Sequence, residues 1–494
     1  MALSKAANVA APEDMAPSTL DLLVLTFNCA AKFINVPIFA SHLEAAFKQN
    51  ATGLPEVVVF SLQEIAPMSY AFIGDYFLSP YVARFDDAIN LAASRQLQDG
   101  EGNVVSVEPT LPSNKGDKPY TLVTSRNVGY TAMLLFARDA SRLSNLQEAE
   151  IGFGAAEMGN KGAVGFRALY NTGSGESTEL TFVAAHLAAM EWNLARRNSN
   201  WGTIMRGLTF ENPEAVVSKM RTQDIPRPDP NFSEDDEDLE HVRLLNEGRH
   251  LEDIQLQQQL HDLSVFKPSS HLFVAGDLNY RIATTSPTPK AAFPNMDPES
   301  ENHYPSFFPY DQLTRERKAG RTLHGLTEHE VRFPPTYKYV VDQKSASGRD
   351  ENEEVKWTFA PHRYPGWTDR ILFLELPPWI KGRMNVRAYD TLPVMRTSDH
   401  RPVFLRVDVP LIAPTDLAPP KYQEALSPGG RIIDPRVRLP VEIDPEAWER
   451  RAAARRKEVM AGWSMFLWST KQGAYILGTL LATGIAGYWL YRSA

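Results

Sequence analysis

The stretch "HLFVAGDLNYRI", residues 271–282, opens as a buried strand opens and closes as one rarely does. Leu272, Phe273, Val274 and Ala275 form an apolar run, which gives way to Gly276, Asp277, Leu278 and Asn279. If the extended backbone continues that far, alternation of side chains puts Asp277 and Asn279 on one face. The signature recurs along the chain. "LLVLTFN" ends at Asn28, "VVVFSLQE" at Glu64 and "LTFVAAH" at His186, while "SDHRPVFLRVDV" begins with Asp399 and His400. Singly, each polar terminus has an ordinary explanation as a turn cap or a satisfied core histidine. Together, carboxylates, amides and imidazoles suit a site that holds a hard divalent cation through oxygen ligands and sets a water against a phosphate.

The rest of the chain frames that site. At 494 residues, 43% hydrophobic and 22% charged, it is long enough for one large or two medium cores. A formal charge of -9 argues against wholesale neutralisation of a polyanion, so nucleic acid is not expected as a partner. One cysteine, Cys29, excludes an internal disulfide or a thiolate metal cluster. Residues 1–19 read as a disordered leader and 20–410 as a single catalytic domain of apolar strands alternating with helices. Within it, 211–250 carries "SEDDEDLE" and reads as an acidic surface insertion. Residues 411–472 read as a proline-rich linker followed by a basic juxtamembrane segment containing Arg450, Arg451, Arg455, Arg456 and Lys457. The uncharged run 473–491, bordered by Trp463, Trp468, Trp489 and Tyr491, is long enough to cross a hydrocarbon core of about 30 Å. The expectation is a tail anchor with the catalytic domain in the cytosol and the basic cluster near anionic headgroups. The shortness of the span points to the endoplasmic reticulum.

Several motifs resemble those of the inositol polyphosphate 5-phosphatases, within the endonuclease/exonuclease/phosphatase superfamily. They are "LQEI" (62–65), "GNKGAVGFR" (159–167), "HLAA" (186–189) with "ARRN" (195–198), "GDLNYRI" (276–282), "PPTYKY" (334–339), "RYPGWTDRIL" (363–372) and "SDHRPV" (398–403). The likeness spans most of residues 20–410 and extends to small tail-anchored fungal-type members. Two positions depart from it: Phe27 stands where tryptophan is usual and Thr368 where cysteine is usual. The resemblance implies a four-layer α/β sandwich, two packed mixed sheets flanked by helices, to which the C-terminal transmembrane helix is appended.

The residues then take roles. Glu64, assisted by Asn28, is the expected Mg²⁺ ligand, which the resemblance also implies. Asp277 orients and deprotonates a water, and Asn279 bonds that water or the phosphoryl oxygens. His400, with Asp369 fixing its tautomer, and His186 face the phosphate, while Asp399 lies near the metal or water. Lys161, Arg197, Asn198, Tyr337, Lys338 and Arg363 are the candidates for binding a substrate with several phosphates. The resemblance implies that Tyr337, Lys338 and Arg363 meet the inositol 4-phosphate and that Lys161 and Asn198 meet the 1-phosphate side. With a membrane tether, the expected substrate is phosphatidylinositol 4,5-bisphosphate, a phosphoinositide lipid. Soluble inositol polyphosphates, another superfamily hydrolysis such as that of an endonuclease or sphingomyelinase, and an inactive membrane scaffold are the alternatives.

Overall fold

Strand β1 (Thr19–Asn28) explains why the molecule is layered. Leu22 and Val24 enter the core between two sheets, whereas Leu23, Leu25 and Phe27 enter a second core beneath helices. A strand buried on both faces reads as a continuous apolar run, which is how β1 reads. Strand β8 (His271–Asp277) behaves likewise: Phe273 and Ala275 face the inter-sheet core, and Leu272 and Val274 face a third core.

The computed structural model describes residues 18–100, 118–222, 254–342, 355–420 and 434–493. Around β1 a six-stranded sheet runs in the spatial order β12 (Asn385–Thr391), β13 (Val403–Pro410), β1, β2 (Val57–Gln63), β4 (Thr131–Ala137), β3 (Thr121–Val128). Around β8 a five-stranded sheet runs β11 (Asp369–Phe373), β8, β7 (Ser177–His186), β6 (Gly162–Asn171), β5 (Leu143–Gly152). A ribbon of β9 (Tyr339–Val341) and β10 (Trp357–Phe359) stands apart. Both large sheets are mixed, since β1 and β2 are parallel, as are β7 and β8, among antiparallel neighbours. The Ser61 hydroxyl donates to the Ala275 carbonyl at 2.9 Å and ties one sheet to the other.

Helices cover the outer faces. Phe39, Leu43 and Phe47 of the helix Val36–Lys48 and Phe85 and Ile89 of Ser79–Gly100 pack on the six-stranded sheet. On the other side, Trp201, Ile204 and Met205 of Leu194–Gly207 pack on the five-stranded sheet. Each such side chain contributes about 1.5–3 kcal/mol through burial. The result is the expected four-layer sandwich.

Register fixes where the polar strand ends fall. Asn28 is level with Gln63, and Thr26 with Val403, so Glu64 and His400 both lie just past the Asn28 end of their sheet. In the other sheet Asp277 is level with both Asp369 and His186, and His186 with Gly162, the residue after Lys161. One point corrects the sequence reading. β8 ends at Asp277, and Asn279 has a left-handed backbone (φ 58°), so a turn and not continued alternation aims its amide. Glu64 is left-handed too (φ 48°), a conformation that non-glycine residues hold only where the surroundings enforce it.

The segment expected as a linker needs a larger correction. Residues 421–433 and most of the leader and acidic insertion lie outside the described residues, but 434–469 pack against the domain. Arg436 is buried and donates to the Leu374 and Glu375 carbonyls. Along the helix Ala447–Ser469, Arg451 bonds Glu150 at 2.8 Å and Glu458 at 2.6 Å, and Arg455 bonds the Phe72 and Ile73 carbonyls. Buried Glu458 also accepts the Gly159 N–H at 2.7 Å. Of the five basic residues expected at lipid headgroups, Arg450 pairs with Asp444, while Arg456 and Lys457 are exposed. The reason is electrostatic: Asp444 and buried Glu458 within the segment, with Glu150 and the Phe72 and Ile73 carbonyls of the domain, hold the guanidinium groups. The following helix, Lys471–Ser493, is long and apolar enough to cross a membrane, with 6% of its most apolar window buried.

Candidate active site

Asp277 is the centre of the cluster. Its Oδ2 accepts from Asn28 Nδ2 at 3.1 Å and lies 3.5 Å from His186 Nε2, and its Oδ1 accepts the Asn279 N–H at 3.1 Å. Burial raises its proton affinity, but the His186 contact and the charges of His400 and Lys161 prevail and hold it well below the usual carboxylate range. Asn279 donates from Nδ2 to the Leu187 carbonyl at 3.1 Å and accepts from Arg281 at Oδ1. His186 meets the Lys161 ammonium at Nε2. Burial and the Lys161 charge lower the His186 pKa, and burial brings Lys161 itself down to about 8.

A second knot forms at the start of β11. His400 Nδ1 lies 2.9 Å from Asp369 Oδ2, which also accepts the hydroxyls of Thr336 at 2.7 Å and Thr368 at 2.8 Å. Burial opposes charge on His400. Asp369 first, then Asp277 and Asp399, outweigh it and push the imidazole up to about 10. The Tyr337 ring packs 4.3 Å from the His400 ring. Thr368, one of the two departures from the family pattern, thus sits within the hydrogen-bond network, and Phe27, the other, packs in the helix-facing core against Phe39.

The expected substrate residues divide. Lys161, Tyr337, Lys338 and Arg363 lie around the cluster: Lys161 on His186, Lys338 on Asp399, and Arg363 Nη1 on the Tyr337 hydroxyl at 2.8 Å. Arg197 and Asn198 turn elsewhere. Arg197 is fully buried and donates to the carbonyls of Ala188 and Met190 and to Gln312, so it braces the 188–191 loop. The Asn198 amide is occupied by Glu316 at 2.7 Å and the Tyr280 hydroxyl at 2.8 Å. The Asp399 carboxylate accepts from the Lys338 ammonium.

A family model for endonuclease/exonuclease/phosphatase family 2 matches residues 25–406, which is most of the chain and includes every strand end described above. The chain belongs to this family. Among curated family relatives, synaptojanin of Caenorhabditis elegans is 27% identical over 326 residues, 64% of this chain and 22% of that protein. A polyphosphatidylinositol phosphatase of Saccharomyces cerevisiae is 26% identical over 395 residues, 78% of this chain and 26% of its own length. The chain therefore spans about a quarter of the length of these relatives. The inositol polyphosphate 5-phosphatase domain of a synaptojanin, solved with inositol 1,4-bisphosphate and calcium, aligns with 79% of this chain and 84% of its own. The TM-score is 0.48 and the identity 22%.

For a family whose sequence motifs suggest a cation, the donor chemistry can be tested. Among the described residues no hydrogen bond or ion pair engages the Glu64 carboxylate, and it is only partly buried. Among the described residues Asn28 Oδ1 accepts only the Ala30 N–H, at 3.1 Å, and keeps a lone pair. These oxygens fit a hard cation. Asp277, Asp369 and His400 also place ligand atoms within 4.8 Å of one another. Residues that the sequence reading passed over are Arg281, Glu191 and Thr336. Arg281 stood inside the quoted "GDLNYRI", but nothing in the pattern separates a cation that faces a site from one that faces solvent.

Proposed function

We propose that this chain hydrolyses the 5-phosphate of phosphatidylinositol 4,5-bisphosphate by direct attack of water, with Mg²⁺ as its cation. The observation that carries the reading is the meeting of Asn28, Asp277, His186, Asp369 and His400, drawn from both sheets, beside Lys161, Lys338 and Arg363. Relatives named as phosphoinositide phosphatases support the substrate class.

Asp277, ionised and held by Asn28 and the Asn279 N–H, accepts a hydrogen bond from the attacking water and takes its proton as the new P–O bond forms. His400, protonated and fixed at Nδ1 by Asp369, donates from Nε2 to the phosphoryl oxygens as their charge rises. Glu64 and Asn28 would hold the cation, which when bound supplies positive charge to the phosphoryl and leaving oxygens. Lys338, Arg363 and Tyr337 address the neighbouring ring phosphate, and Lys161 the opposite side. The helix Lys471–Ser493 supports a bilayer substrate, with the catalytic domain on the cytosolic side and the endoplasmic reticulum as the favoured membrane.

The test is phosphate release from a panel of inositol lipids and soluble inositol phosphates, with Mg²⁺ present or chelated. Release confined to substrates bearing a 5-phosphate, faster on vesicles and abolished by chelation, is the expected result. Release from lipids without a 5-phosphate, or release that survives chelation, would overturn the reading.

A further inference from the structure

The cations of this site differ in what balances them. Lys338 pairs with Asp399, His400 lies 2.9 Å from Asp369, and Arg363 Nε lies 2.8 Å from Glu191. Arg281 is different. It is 4% exposed and makes no ion pair among the described residues, and its Nε and Nη1 meet no acceptor there. Nη2 alone is engaged, donating to Asn279 Oδ1. The guanidinium lies 4.5 Å from the centroid of the Tyr337 ring, which itself packs 4.3 Å from His400.

A buried guanidinium without a counter-anion is unfavourable, and contact with one aromatic ring offsets only part of that. Such a group persists where an anionic ligand completes it. The surroundings name the anion. The Arg281 charge contributes to lowering the proton affinity of Lys161, and the guanidinium touches both Asn279 and the Tyr337 ring that packs on His400. Arg363 and Lys338, already neutralised by Glu191 and Asp399, have less charge to give.

We propose that Arg281 receives the phosphate undergoing hydrolysis, through the N–H groups that meet no acceptor among the described residues, while its bond to Asn279 holds that amide in orientation. This rests on the phosphatase reading and deepens it: the dianion is met mainly by an unbalanced arginine, and the paired cations serve the remaining ring phosphates. A planar guanidinium offers two phosphoryl oxygens and Asn279 donors spread over separate nitrogens in one plane, a spacing that the three donors of a single ammonium nitrogen do not reproduce.

The experiment uses the full chain in detergent micelles. Thermal unfolding is followed in inorganic phosphate and in potassium chloride of equal ionic strength, for the wild type, Arg281→Met and Arg281→Lys. Phosphate is expected to raise the wild-type Tm and to leave Arg281→Met unshifted. Without phosphate, Arg281→Met should unfold no earlier than the wild type, because it removes a charge that lacks an anion. Arg281→Lys should keep the phosphate shift yet lose about tenfold in kcat as Asn279 is released, with KM little changed. A wild type blind to phosphate, or an Arg281→Met protein that is less stable without phosphate and still shifts with it, would overturn the proposal. A phosphate shift carried by Arg281 in a protein that releases nothing from inositol lipids would uphold the anion site and defeat the phosphatase reading instead.

Discussion

Asp369 and Asp277 stand level with each other across the antiparallel pair β11 and β8, and His400 places ligand atoms within 4.8 Å of both. Two buried carboxylates on adjacent strands repel, and the protonated imidazole relieves that repulsion. The three groups therefore act as a charge unit, and each prediction about one of them involves the others.

Replacing Asp369 with Asn removes the first of the carboxylates that push the His400 pKa up to about 10. In the wild type the imidazole holds its proton until the pH climbs toward that value. In the variant it should release it at a pH nearer the ordinary 6.5. The expected outcome is a loss of about 10² to 10⁴ in kcat and an alkaline limb of the pH–rate profile displaced to lower pH. A limb that stays in place would show that His400 does not carry the proton in question.

Glu64→Gln keeps shape and removes the charge that would hold the cation. Apparent Mg²⁺ affinity should fall by at least about 100-fold, the upper end of what outer-shell changes alone produce. Saturating Mg²⁺ should restore part of the rate. Titration of activity and of Tm against Mg²⁺ provides two independent readings. An unchanged Mg²⁺ midpoint in both would remove Glu64 from the cation site.

His271 lies fully buried at the start of β8, and burial, with the Arg436 charge, lowers its pKa from 6.5 to about 3. The folded protein thus refuses a proton that the unfolded chain accepts below pH 6.5. Its contribution to stability is complete above pH 6.5 and is lost as the pH falls toward 3, at up to about 1.4 kcal/mol per pH unit. Urea midpoints measured between pH 7 and 4 should decline less steeply for His271→Gln than for the wild type. Parallel declines would exclude this histidine as a source of acid sensitivity.

Glu458→Ala should detach the helix Ala447–Ser469. The change leaves Arg451 partly buried without this partner and the Gly159 N–H without its acceptor, a loss of about 3–5 kcal/mol in the docking. Trypsin should then cleave rapidly among Arg450, Arg451, Arg455, Arg456 and Lys457. Because Gly159 precedes Lys161 in the same loop, KM for the lipid should rise as well. Wild-type proteolysis and KM would argue that the helix holds by its apolar contacts alone.

The layering was implied by the family resemblance, while the amino-acid sequence by itself determined the apolar strands, their polar ends and the apolar C-terminal helix. These follow from periodicity and from run length, which are local properties: "LLVLTFN" and "HLFVAGD" have to bury both faces wherever they pair. The tertiary structure decided what each charge does. Arg197 and Arg281 are both buried arginines, yet one spends its donors on the Ala188 and Met190 carbonyls and the other lacks acceptors for two of its nitrogens. Arg451 and Arg455, in a segment that reads as a linker, found Glu150 and two carbonyls in the domain. Asn279 reaches the Asp277 cluster through a left-handed turn after its strand has ended. Glu150 lies 301 positions from Arg451, the Phe72 and Ile73 carbonyls lie 383 and 382 positions from Arg455, and no periodicity in the chain encodes such distances.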